Sequence, residues 1–196
     1  VGYGTAQEAR LLCEIGPVVN PDVVLVGYFP NDPEGTEVSL GDFVEGGSRL
    51  KRLVGPKLRQ VGAKLSILPT ATDHYRQLHQ EGSTTWLEVE TRLGQIGQWC
   101  KKRRSKCAIL LLPDMTKSPY PLGGIHQRVG NVAKNEGFQV LDVSTIMDGV
   151  NPTDLWVARD DAHPNARAHK MIGELLANWL GQLLGKERGK NVQEGN

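Results

Sequence analysis

Residues 21–32, Pro-Asp-Val-Val-Leu-Val-Gly-Tyr-Phe-Pro-Asn-Asp, decide how this chain is read. Val23 to Phe29 is an apolar, β-branched run closed by Pro30. A run without polar alternation predicts a strand buried on both faces, the mark of a parallel sheet. Cys107 to Leu112, stopped by Pro113, predicts a second such strand, and Phe138 to Val143 a third. Helical patterns separate them. A helix is predicted at about 5–15, entered through the capping-box spacing Thr5-Ala6-Gln7-Glu8 and ended by Gly16-Pro17. Thr84 to Arg104 places Trp86, Val89, Leu93, Ile96 and Cys100 on one side. Its closing run, Lys101 to Arg104, complements the helix dipole and requires no ligand. Leu122 to Glu136 is predicted helical, with Gly137 at the C′ position. The last helix is expected from Pro164 to Leu184, stopped by Gly185. Strands alternating with helices predict an α/β fold with a parallel sheet.

The 196 residues suit one domain, and 39% hydrophobic with 23% charged is an ordinary globular balance. A chain this size buries roughly 70% of its unfolded surface, so it needs no covalent staples. A net charge of +1 gives no electrostatic case for nucleic acid or an anionic membrane. No apolar run approaches the roughly 18–20 residues of a membrane span. The three cysteines, Cys13, Cys100 and Cys107, fit neither a disulfide framework nor a common zinc pattern and are read as buried or free thiols. Residues 33–83 are weakly patterned and read as a variable insertion, although Ser48 to Ser66 has the spacing of a basic amphipathic helix with a solvated charged face. Residues 185–196 read as a polar tail. The first residues carry no signal-peptide pattern, which leaves export and compartment open.

Ligands of open parallel sheets collect beyond the carboxyl ends of the strands. Asn31 and Asp32 fall there. The Asn31 amide is a neutral donor suited to a developing oxyanion, or else part of an Asn-Asp turn between prolines. The second signal is Asp160-Asp161-Ala162-His163-Pro164-Asn165. A carboxylate three residues before His163 can fix the imidazole tautomer and free the other nitrogen as a base. Equally, acidic residues before a helix serve as ordinary caps. His74 and His79 share no helical face, and His126 has no nearby carboxylate in sequence. His169 lies six beyond His163, poor spacing for a metal pair, with Asp160, Asp161, His163 and His169 the weaker alternative of a metal site. HExxH, GxGxxG and Walker patterns are absent.

Three segments taken in order add to this. Gly2-Tyr3-Gly4-Thr5-Ala6-Gln7-Glu8, then Pro21 to Asp32, then Asp160 to Asn165 together resemble the SGNH hydrolases, the GDSL-like esterase and lipase superfamily. The resemblance covers most of the chain, is strongest at 1–32 and 155–184, and is thin over 35–83. It implies a three-layer αβα, flavodoxin-like fold and ester chemistry through a Ser-His-Asp arrangement, with no cofactor and no metal. It also implies roles. Gly2 resembles the backbone donor of the oxyanion hole and Asn31 the side-chain donor. Asp160 and His163 match the family's acid and base, and Asp161 stands beside them. The implied substrate is a small-molecule, carbohydrate or lipid ester.

The family's nucleophile lies in a Gly-Asp-Ser block before the glycine that Gly2 resembles, and the sequence as given holds no such block. Gly41-Asp42 is followed by Phe43, and Ser39, Ser48, Ser66, Ser83, Ser105, Ser118 and Ser144 lack nucleophile context. The resemblance therefore implies the C-terminal part of a longer protein. In the family's strand order the three strands found would be contiguous, with an open edge where the serine strand belongs. The alternatives are a non-catalytic binding domain of this fold and an O-acyltransferase of the same family.

Overall fold

The computed structural model describes residues 4–36 and 70–188. The expected helix at 48–66 lies outside the described residues. Three strands, β1 (Val23–Tyr28), β2 (Lys106–Leu111) and β3 (Gln139–Asp142), form one parallel sheet in the order β1-β2-β3. Val24 pairs with Cys107 and Tyr28 with Leu111, while Ile109 pairs with Val140. The helices are α1 (Thr5–Val19), α2 (Ala71–Leu78), α3 (Thr84–Arg103), α4 (Gly123–Asn135) and α5 (Ala166–Arg188). The mixed α/β class and the contiguous parallel strands agree with the sequence reading.

Two apolar clusters hold these layers together. The first joins α1, α3 and α4 to the sheet through Tyr28, Trp86, Leu93, Ile96, Ile109 and Val129. Every residue of the expected α3 stripe is buried, because helical spacing aims that face at β1 and β2. Ser83 caps α3 by accepting from the Trp86 amide. The second cluster sits under α5 and contains Leu110, Met115, Val143, Met147, Leu155 and Ile172.

Gly97 marks the tightest helix contact. A Cβ there would lie 2.4 Å from the Glu136 carbonyl oxygen and 3.1 Å from the Glu136 Cβ. Gly97→Ala is therefore expected to destabilise by about 1–3 kcal/mol, more than its better helix propensity returns. Urea unfolding checks this: the midpoint should fall with the slope unchanged.

Several boundaries differ from the sequence reading. The first helix runs on through Pro17 to Val19. So near the end, Pro17 costs only one backbone bond, and Asn20 in the left-handed region closes the helix by donating to the Gly16 carbonyl. The Thr5–Glu8 capping box does not form. Gly4 is the cap and its amide donates to Gln7 Oε1, and the buried Thr5 hydroxyl and Glu8 Oε2 find no partner among the described residues. Pro164 does not open the last helix but ends a strand, and Asn165 Oδ1 caps that helix through the Ala168 amide. Nor does Gly185 stop it.

The expectation of burial on both faces fails for β1, where Leu25 is 38% exposed. The cause is topological: β1 lies at the end of the sheet. A groove of about 320 Å³ runs along it, lined by Leu11, Leu12, Ile15, Val19, Val24 and Leu25. Leu11, Ile15, Val18 and Val19 are all exposed on α1.

Candidate active site

The carboxyl end of β1 turns sharply at Pro30-Asn31-Asp32. The Asp32 carboxylate accepts from the Phe29 amide at 3.1 Å, and the Asp32 amide donates to the Phe29 carbonyl at 2.9 Å. Asn31 is exposed on this turn, and Asp32 is buried beneath it. Gly4 closes the arrangement from the other side, since a Cβ at Gly4 would sit 2.3 Å from the Asp32 carbonyl oxygen. Only glycine permits this approach, so the segment entering α1 is pressed against the Asn31 turn. Gly2 lies outside the described residues. Burial pushes Asp32 up to about 8, against the hydrogen bond from Phe29, and the nearby Glu8 adds to the rise.

His163 comes from a different element. Two short antiparallel strands, β4 (Trp156–Ala158) and β5 (Asp161–Pro164), form a hairpin that periodicity did not reveal. Asp161 Oδ1 accepts from both His163 Nδ1, at 2.5 Å, and the His163 amide, at 3.0 Å. These bonds, the amide first, hold the Asp161 carboxyl below its ordinary value. The carboxylate partner of His163 is thus Asp161, not Asp160. The reason is local: in an extended strand, residues two apart lie on one face, so Asp161 and His163 point the same way. Asp160 stays exposed in the turn. With Nδ1 engaged, Nε2 is the nitrogen left to act, on a side chain 86% exposed.

The hairpin is fixed at the carboxyl edge of the sheet. Lys106, at the start of β2, donates to the Leu183 carbonyl near the end of α5. The helix therefore runs antiparallel to β2, and its first turn lies beyond the strand ends. Trp156 Nε1 also donates at 2.7 Å to the Met115 carbonyl, in the loop that follows β2. The Asn165 amide group donates to the Asp154 and Trp156 carbonyls, tying the hairpin base to α5. Asn31 and His163 accordingly occupy the same edge, the one beyond β1 and the other beside the loop after β2.

Sequence reasoning missed two buried histidine relays. His126 Nδ1 contacts Asp142 Oδ1 at 2.9 Å, while its Nε2 lies 2.8 Å from the Tyr120 hydroxyl. Burial tends to raise Asp142, but bonds from His126 and Ser144 hold it below its ordinary value. His79 Nδ1 donates to the Tyr75 carbonyl, so its Nε2 accepts from Tyr28 at 2.7 Å. Burial lowers His79 to about 4, which keeps it neutral. These partners lie 16 and 51 residues away in sequence. Only the parallel register, which sets the end of β3 beside α4, brings Asp142 to His126.

The described serines are engaged locally, Ser144 through a side-chain hydrogen bond to the Asp142 carboxylate. The hydroxyls of Ser83, Ser105 and Ser118 donate to the Leu78, Pro21 and Met147 carbonyls. Among the described residues no group of three or more His, Cys, Asp or Glu could hold a metal ion, and no helix is long and apolar enough to cross a membrane. No family model, curated protein or solved structure matches this chain.

Proposed function

We propose that this chain forms the C-terminal part of a serine ester hydrolase of the SGNH type, supplying its base, its orienting carboxylate and one oxyanion donor. The observation that carries the reading is the His163–Asp161 pair at the carboxyl edge of the parallel sheet. A carboxylate on Nδ1 sets the tautomer and stabilises the imidazolium that forms when Nε2 takes a proton. The nucleophile would be a serine on a strand added to β1. That strand would cover the apolar groove beside β1. It would also bring polar groups toward Thr5 and Glu8, whose buried oxygens have no partner among the described residues.

The serine hydroxyl would lose its proton to His163 Nε2 as its oxygen attacks the ester carbonyl. Asn31, fixed by the Pro30–Asp32 turn, would donate to the resulting oxyanion. His163 would then return the proton to the departing alcohol. Water, activated by the same nitrogen, would release the acid and regenerate the serine.

The complete gene product tests this with p-nitrophenyl acetate and a fluorophosphonate probe. The expected result is covalent labelling of one serine. Replacing His163 with alanine should remove that labelling and lower turnover by at least about 10³-fold. Undiminished turnover in H163A would take His163 out of the mechanism.

A further inference from the structure

We propose that Cys100 and Cys107 are a redox-active dithiol that closes to an intramolecular disulfide on two-electron oxidation by a peroxide. Cys100 lies in the last turn of α3 and Cys107 in β2, joined by the turn at Arg104 and Ser105. Their sulfurs are 2.8 Å apart and hydrogen-bonded. A disulfide needs about 2.05 Å, so the sulfurs must approach by less than about 1 Å. Both residues are buried, at 2% and 6% exposure, yet both line a cleft of about 630 Å³ at the amino end of the strands. The cleft admits a small oxidant, and Lys101 and Lys106 line it too. Cys13 is exposed and stands apart on α1.

The hydrogen bond sets the order of events. The bond shared by the two thiols lowers Cys100, whereas the same contact and burial push Cys107 up. The Cys100 thiolate attacks one peroxide oxygen and breaks the O–O bond. With one proton taken up, this yields a sulfenic acid and one water. Cys107 sulfur then attacks the Cys100 sulfur, its own proton leaves with the hydroxyl as a second water, and the S–S bond forms. Two thiols lose two electrons and the peroxide gains them. The product ties the end of α3 to the start of β2.

The test treats the native chain with equimolar hydrogen peroxide, then denatures it, alkylates it and weighs it. The expected product is a monomer carrying one alkyl group, with a tryptic peptide pair linked through Cys100 and Cys107. Cleavage at Lys101 to Lys106 separates the two cysteines, so the linked pair persists only through a disulfide. Cys13→Ser should still lose both remaining thiols, and Cys107→Ser should stop at a sulfenic acid that dimedone traps on Cys100. Three alkyl groups on the treated chain, or oxidation confined to a Cys13-linked dimer, would overturn the proposal.

Discussion

On the proposed ester-hydrolase reading, Asp161→Asn in the complete protein is expected to lower ester turnover by about 10³–10⁴-fold, and Asp160→Asn to cost far less. The amide cannot stabilise the imidazolium, and its NH₂ group facing Nδ1 favours the tautomer with the proton on Nε2, which blocks the base. The asymmetry follows from where the two carboxylates lie. Asp161 holds both the ring and the amide of His163, while Asp160 stands exposed in the turn between β4 and β5. Steady-state kinetics on both variants and on the parent decide it. A larger loss in D160N would assign the orienting role to Asp160, as the family pattern implies. It would also mean that the hairpin turn rearranges in the complete protein.

The stability of this chain should fall as pH rises from about 4 to 8, the reverse of ordinary acid denaturation. Burial raises Glu8 to about 7 and Asp32 to about 8, from 4.5 and 3.8. In this interval the folded state keeps protons that the unfolded state has released. Stability therefore declines with pH until both folded groups have ionised. His79, lowered to about 4, works the other way between about 4 and 6.5, since the folded state keeps it neutral. The decline should therefore be steepest just below pH 7, after His79 has ceased to oppose it. Each acid contributes on the order of several kcal/mol across its window. Chemical denaturation at pH 5 and pH 8 measures the difference. Asp32→Asn keeps an acceptor for the Phe29 amide and should recover most of the loss at pH 8. A stability that stays level or rises over this range, with D32N no better than the parent, would show that these carboxyls are solvated.

The two expectations differ in how much the sequence foretold. Asn31 and His163 stand out in the sequence because each lies next to local punctuation, and their roles rest on the proposed function. Pro30 and Pro33 isolate the Asn31 turn, and Pro164-Asn165 follows His163 before a strongly periodic helix. The carboxylate was not legible. Reading Pro164 as the start of the helix placed Asp160 one turn-length before His163. The chain is extended there, and the period of two selects Asp161 instead. Short hairpins such as β4–β5 leave no hydrophobic period to read, because three or four residues cannot display one.

The sequence by itself determined the three strands of the parallel sheet, four of the five described helices and the parallel class. Continuous apolar runs and the stripe from Trp86 to Cys100 are local patterns whose burial follows from their period. Tertiary structure alone decided three things. It set β1 at the edge of the sheet, so that Leu25 lies open although its sequence is that of an interior strand. It paired His126 with Asp142 and His79 with Tyr28. It also brought the Cys100 and Cys107 sulfurs together across the turn from α3 into β2. These outcomes depend on neighbours distant in sequence or on the angle at which one element meets the next. Propensity and spacing carry no record of either.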